Sequence, residues 1–197
     1  LSRSFAKWYD FFMSPLENKK FNGIRKELLS KAGGTVLELG SGTGINFPLY
    51  MEVEKVTAIE PSPYMIENSL EKKKQSVVPI ELVQASAEEL PFADNTFDTV
   101  VATLVFCTIP NPERAMLEMK RVSKPDGKIL LFEHVKMENR VLAALQEGLT
   151  PVWKKICDGC CLNRDTLELL TAHGFDVTEV HKYYRDLFIF AEAINKK

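Results

Sequence analysis

The 197-residue chain is 45% hydrophobic and 26% charged, and its 25 basic and 27 acidic residues leave a net charge of −2. That length suits one domain, 1–197, with a substantial core, and is short for two. The near-neutral balance argues against a nucleic-acid partner held by bulk electrostatics, and no apolar run approaches the roughly 20 residues of a membrane span. The first residues also lack the compact apolar core of a signal peptide, so a cytoplasmic location is expected.

Residues 3–31 carry Phe5, Trp8, Tyr9, Phe11, Phe12 and Met13, then Leu16, Phe21, Ile24, Leu28 and Leu29. Pro15 divides them, and the later positions keep helical spacing, which predicts helices over 3–13 and 16–31. Two readings of 1–33 stand together: an amphipathic pair packed on a sheet edge, and a helical lid whose Trp8-Tyr9-Asp10 end folds over a ligand. Gly33 and Gly34 stop the second helix. Val36-Leu37-Glu38-Leu39 then reads as a buried parallel strand, running into Gly40-Ser41-Gly42-Thr43-Gly44. Alternate glycines turn the chain sharply and let its backbone approach a ligand with no Cβ in the way. Asn46-Phe47-Pro48-Leu49-Tyr50 is expected to open a helix whose N–H groups face that ligand.

The spacing fails the dinucleotide fingerprint, which needs a third glycine at Ile45. Lys55-Val56-Thr57-Ala58-Ile59-Glu60-Pro61 reads as a second short buried strand that ends in an acid, Glu60, near the interval at which a dinucleotide fold places its ribose-binding carboxylate. Two vicinal hydroxyls both donate hydrogen bonds, and an ionised acid accepts both in a fork. Pro61-Ser62-Pro63 starts the next helix, with Tyr64, Met65 and Ile66 leading into it. Ile80–Gln84 is a third strand, and Asp94–Asp98 turns into a fourth, Thr99–Thr103, whose entry Asp98 is expected to fix. Asn111 caps a helix with Ala115, Met116, Met119 and Val122 on one face, and Lys124–Gly127 is a tight turn into the strand Lys128–His134. This alternation argues for an α/β sheet with helices on both faces.

E-L-G-S-G-T-G at Glu38–Gly44 resembles the first motif of class I S-adenosylmethionine-dependent methyltransferases. Ala85–Phe92 resembles their adenine-binding loop: Ser86 stands where many relatives have Asp, its hydroxyl still an acceptor, and Ala87 keeps the backbone donor. L-P-F-x-D-x-x-F-D at Leu90–Asp98 and R-V-x-K-P-x-G-x-x-L at Arg121–Leu130 follow in family order, with Asp126 where many members carry a second glycine. The resemblance implies a doubly wound, mostly parallel, Rossmann-like sheet of seven strands with one antiparallel strand near an edge, the last two strands being 174–181 and 186–194. It implies S-adenosylmethionine as cofactor, held by Glu38, Gly40, Ser41, Gly42, Thr43, Gly44, Glu60, Pro61, Met65, Ser86, Ala87, Glu88 and Leu104.

Residues 136–163 interrupt the alternation. Leu142, Leu145, Leu149, Val152, Trp153 and Ile156 keep helical spacing around Pro151, which predicts a helical insert on the substrate side. T-L-V-x-C, E-H-V and D-G-C-x-L-x-R-x-T (Asp158–Thr166) resemble the thiol S-methyltransferase-like branch. Its animal members carry a long N-terminal apolar anchor to the endoplasmic reticulum, and no such anchor is expected here. The implied acceptor is a small molecule. A thiol, with a pKa of about 8.5, supplies thiolate readily, whereas a hydroxyl requires a general base. His134 is the best candidate base, with a structural role equally open; Tyr9 and Asp158 are weaker substrate-pocket candidates, and no residue is compelled as catalytic. Cys107, Cys157, Cys160 and Cys161 read as free thiols. Cys157-x-x-Cys160-Cys161 invites zinc, but no second CxxC and no nearby H-x-x-x-H completes a ligand set, so no metal is expected. A nicotinamide-dependent oxidoreductase, disfavoured by Ile45, and a non-catalytic S-adenosylmethionine-binding protein remain as other readings.

Overall fold

A computed structural model describes residues 19–157 and 159–197. Seven strands form one sheet: β1 (Thr35–Leu39), β2 (Lys55–Ile59), β3 (Ile80–Val83), β4 (Phe97–Thr103), β5 (Ser123–His134), β6 (Phe175–Tyr183) and β7 (Phe188–Asn195). Their order is β3-β2-β1-β4-β5-β7-β6, parallel throughout except for β7, which runs antiparallel to both β5 and β6. The central strands are buried on both faces because side chains alternate between two apolar layers. Along β5, Ile129 and Leu131 pack with Met116, Met119 and Leu170, while Leu130 and Phe132 pack with Phe21, Leu28 and Tyr50. The first layer is closed by α3 (Pro112–Val122) and α5 (Thr166–Ala172), the second by α1 (Lys19–Ser30) and the segment after β1. This is the doubly wound, mostly parallel architecture expected, with its antiparallel strand one place from the edge. Helix α1 ends near the predicted stop, and the predicted helix over 3–13 lies outside the described residues.

Three local expectations give way. Asn46–Tyr50 forms only a three-residue 3-10 turn, Phe47–Leu49, because Asn46 and Phe47 turn fully inward rather than continuing a helical register. The Lys124–Gly127 turn lies inside β5: Asp126 has φ 58°, and the pairing of β4 with β5 shifts between Phe97 and Thr99, so the strand carries a bulge there. The predicted insert is a helix, α4 (Arg140–Ile156), but its buried face is Ala143, Gln146 and Thr150, while Leu145, Leu149, Val152 and Ile156 are exposed. Hydrogen bonds select that face. The Gln146 amide donates to the carbonyls of Val135 (3.1 Å) and Leu162 (2.9 Å) and accepts from the Met137 N–H (2.8 Å), holding the helix to the chain on either side of it.

Asp98 ties the starts of three strands, as expected of a residue fixing the entry of β4. It accepts from the Thr35 N–H (2.9 Å) and hydroxyl (2.7 Å) and from the Lys124 ammonium (2.7 Å). Burial raises its pKa, but Lys124 and Thr35 outweigh it and hold the carboxyl down at about 2. The other end of β1 carries a buried polar network. Glu38 accepts from the Asn46 amide (2.9 Å) and the Tyr50 hydroxyl (3.0 Å), and Arg25 donates to Asn46 (3.0 Å) and to the Thr103 hydroxyl (2.8 Å). Burial pushes the Glu38 carboxyl up from 4.5 to about 7, against the pull of Asn46, Tyr50 and Arg25. A carboxyl with a raised pKa in the fold binds its proton more tightly folded than unfolded, so its contribution to stability grows as pH falls from about 7 toward 4.5. Thermal melts of Glu38→Gln are therefore expected to rise less than those of the parent between about pH 8 and about pH 6; parallel slopes would show that Glu38 is not the group that titrates.

Candidate active site

The glycine turn leaves β1 and is packed against the turn that leaves β4. Gly40 has φ 60°, and a Cβ there would stand 2.1 Å from a methyl of Val105. Gly42 also has a positive φ (54°), yet a Cβ on it would meet nothing within 4 Å, so this stretch of backbone borders open space. Ser41 donates its N–H to the Ile59 carbonyl (3.0 Å), while its buried hydroxyl has no partner among the described residues. A buried polar atom without a partner is uncommon and marks a place where a ligand can supply one.

Glu60 follows β2 and is 5% exposed. One carboxylate oxygen accepts from the Gly42 N–H (3.0 Å) and the other from the Ser62 N–H (2.9 Å), which joins the glycine turn to the start of α2 (Pro63–Lys74). The Lys72 ammonium of the same helix donates to the Thr43 carbonyl (3.1 Å), and Met65 is buried on its first turn. After β3, the Ser86 hydroxyl accepts from the Glu88 N–H and donates to its carboxylate (both 3.2 Å), whose other oxygen accepts from the Asn111 N–H (2.6 Å). Leu104, at the end of β4, holds φ 54° and donates its N–H to the Phe132 carbonyl (2.7 Å). A non-glycine residue in the left-handed region is strained backbone of the kind that gathers at functional sites. The expected cofactor positions thus meet along the carboxyl ends of β1 to β4, where open α/β sheets bind ligands. Glu38 stands apart from them: its carboxylate is taken up by Asn46 and Tyr50 beneath the turn.

A second cluster adjoins Val105. Glu133 is fully buried, and one of its oxygens accepts from the Val105 (2.8 Å) and Phe106 (3.1 Å) N–H groups, while the other has no partner among the described residues. Burial pushes this carboxyl up to about 7, against those hydrogen bonds. On the far side of the same turn, the Arg164 guanidinium donates to the carbonyls of Phe106 and Ile109, and the Cys161 N–H to that of Cys107 (2.8 Å). Held this way, the two sulfurs of Cys107 and Cys160 and a ring nitrogen of His134 lie within 4.8 Å of one another. His134 Nε2 is 3.1 Å from the Cys160 sulfur. The Cys107 hydrogen bond first, and then His134, hold the Cys160 thiol below its ordinary range despite burial; Cys107 is pushed up by the same contact with Cys160, by burial and by the charge of Glu133. Burial pulls His134 down, but Cys160 raises it on balance.

Among the sequence candidates, His134 is therefore placed with two cysteines, whereas Tyr9 and Asp158 lie outside the described residues. Cys157, the first cysteine of the CxxC, is not in the cluster. Sequence reasoning missed the grouping because Cys107, His134 and Cys160 lie on three separate segments. The available signal was that T-L-V-x-C, E-H-V and D-G-C-x-L-x-R each carry one of its members.

A methyltransferase-domain family model matches residues 37–131. The human thiol S-methyltransferase TMT1B is 32% identical over 194 residues, covering 92% of this chain and 80% of that protein. The phosphatidylethanolamine N-methyltransferase of Cereibacter sphaeroides is 37% identical over 153 residues, covering 76% and 75% respectively. Among solved structures, a SAM-dependent methyltransferase from Aquifex aeolicus superposes with a TM-score of 0.67 at 24% identity over 98% of each chain, which speaks for the fold alone. With a relative at 32% identity matched over 80% of its own length, and a methyltransferase-domain model on the same strands, the chain belongs to the class I S-adenosylmethionine-dependent methyltransferases, and S-adenosylmethionine is its cofactor.

Proposed function

We propose that this methyltransferase acts on a small thiol, methylating it at sulfur. The observation that carries the reading is the extent of the likeness to human TMT1B. The general domain stops at residue 131, but that match covers 92% of the chain and so takes in most of the segments that build the Cys107, His134 and Cys160 cluster. The cluster is joined to the cofactor turn through Val105, which touches Gly40 on one side and is held by Glu133 on the other.

In this reading Glu60 accepts from the two ribose hydroxyls, and Gly40, Ser41, Gly42, Thr43 and Gly44 let the backbone close on the nucleoside. Pro61 and Met65 flank the sugar, the Ala87 N–H with Ser86 and Glu88 meets the adenine edge, and Leu104 borders the amino-acid end. Glu38 acts through Asn46, holding the turn rather than touching the ligand. The fit is supported by the Ser41 hydroxyl, which lacks a partner, and by the open space in front of Gly42. S-adenosylmethionine, once bound, supplies a methyl group already activated by its sulfonium charge. The chain then needs only to align a nucleophile in line with that carbon and exclude water. A thiol suits a site with no dedicated strong base, because its pKa of about 8.5 leaves a usable thiolate fraction near neutrality.

Two measurements test this. Glu60→Ala is expected to weaken binding of both S-adenosylmethionine and S-adenosylhomocysteine by about 1.5–3 kcal/mol, roughly ten- to hundredfold, in isothermal titration, since a charge-assisted fork is lost. An unchanged affinity would remove Glu60 from the site, and NADH titrated in parallel should show no binding. Labelled S-adenosylmethionine offered with alkyl thiols, phenols, quinols and phosphatidylethanolamine is expected to give product from thiols. Product only from oxygen, carbon or nitrogen acceptors would overturn the thiol reading, and no product from any would favour a non-catalytic binder.

A further inference from the structure

We infer that Cys107, His134 and Cys160 form a binding site for a thiophilic divalent cation of the zinc class, with its fourth position open to the acceptor thiol. The three side chains come from the turn after β4, the end of β5 and the segment after α4, and their ligand atoms already lie within 4.8 Å of one another. Zinc bonds of about 2.3 Å to sulfur and about 2.0 Å to nitrogen set the ligand atoms of a tetrahedral site roughly 3.3–3.8 Å apart, so the side chains need shift by only an ångström or so. Their backbones are pinned independently of any cation: Cys161 N–H holds Cys107, Arg164 grips Phe106 and Ile109, and Glu133 holds Val105 and Phe106.

The second oxygen of Glu133, whose carboxylate braces the turn that leads to Cys107, lacks a partner among the described residues, and a cation in the cluster would favour its charge. Two sulfurs and an imidazole select zinc over magnesium or calcium, and three protein ligands rather than four are the pattern of a site that keeps a position for substrate. Cys157 is outside the cluster, and the Cys161 sulfur lies on the Gly159 carbonyl (3.6 Å), so the CxxC pair is not the site.

The site stands on this geometry; its role in the reaction rests on the thiol reading above. An acceptor R–SH takes the fourth position as R–S⁻, and its proton leaves to solvent. A lone pair on that sulfur forms the new bond to the methyl carbon as the bond from methyl to sulfonium breaks, its electron pair staying on the departing sulfur. The sum is R–SH plus S-adenosylmethionine giving R–S–CH₃, S-adenosylhomocysteine and H⁺. His134 serves as a ligand in this arrangement and not as the base.

The 197-residue chain, stripped with a chelator, mixed with zinc chloride and desalted, is expected to retain close to one zinc per molecule. Cobalt chloride titrated into the unaltered chain should give a sulfur-to-cobalt charge-transfer band and intense tetrahedral absorption, both saturating at one equivalent; this readout needs no variant to fold. Cys160→Ser should bring retained zinc to background while Cys157→Ser retains it in full. Failure of the unaltered chain to hold either metal, or equal loss in both variants, would overturn the site. Retained zinc with no methylation of any thiol would sink the thiol reading and leave the site. Thiol methylation unaffected by the chelator would refute the open fourth position. S-adenosylmethionine titration, run on the same samples, reports the cofactor site separately.

Discussion

The contact of Gly40 with Val105 is the constraint on which the site depends. A single added methyl would come within 2.1 Å of a neighbouring methyl, so the cofactor turn and the turn after β4 are fitted to each other with no slack. The glycine turn, joined to Glu60 through the Gly42 N–H, is one partner in this contact, and the turn that leads to Cys107 is the other. Interiors packed this closely transmit displacement rather than absorb it. The two turns consequently move together rather than apart.

Three buried carboxylates hold the loops around that contact, each at or near the carboxyl end of its strand. Glu60 holds the Gly42 N–H, Glu38 holds Asn46 and Tyr50, and Glu133 holds the Val105 and Phe106 N–H groups. Taking a carboxylate out of water is costly, and burial accordingly raises Glu38 and Glu133 to about 7. Two of these acids grip backbone N–H groups that would otherwise lack partners in the loops, and so the cost is offset where order matters most. At the opposite end of the sheet Asp98 does a similar task with Lys124 as counter-ion, and its carboxyl is held down instead.

Much of this was legible in the chain. The apolar strand runs, the glycine spacing, the acid after β2 and the Asn111 cap are local signals, and each is governed by forces that act within a few residues. The helix expected at Asn46 failed because a buried hydrogen-bond partner, Glu38, outcompeted local propensity. Apolar spacing along α4 identified a helix but pointed to the wrong face, since Gln146 chose which side turned inward. The cysteine pairing was invisible for a different reason. Cys107 and Cys160 are 53 positions apart, and only the return of the chain after α4 brings them to the same strand ends. Adjacent cysteines drew the eye to a motif that the fold does not assemble.

The way Glu133 holds its turn has a wider consequence. It bonds main-chain N–H groups, which every residue but proline carries, and asks nothing of the side chains at 105 and 106. Exposed side chains along the strand ends can therefore be exchanged over evolutionary time, or by a protein engineer, while Val105, fitted to Gly40, and the buried Phe106 stay in the frame beneath them. A scaffold braced through its backbone is free to explore new chemistry at its rim.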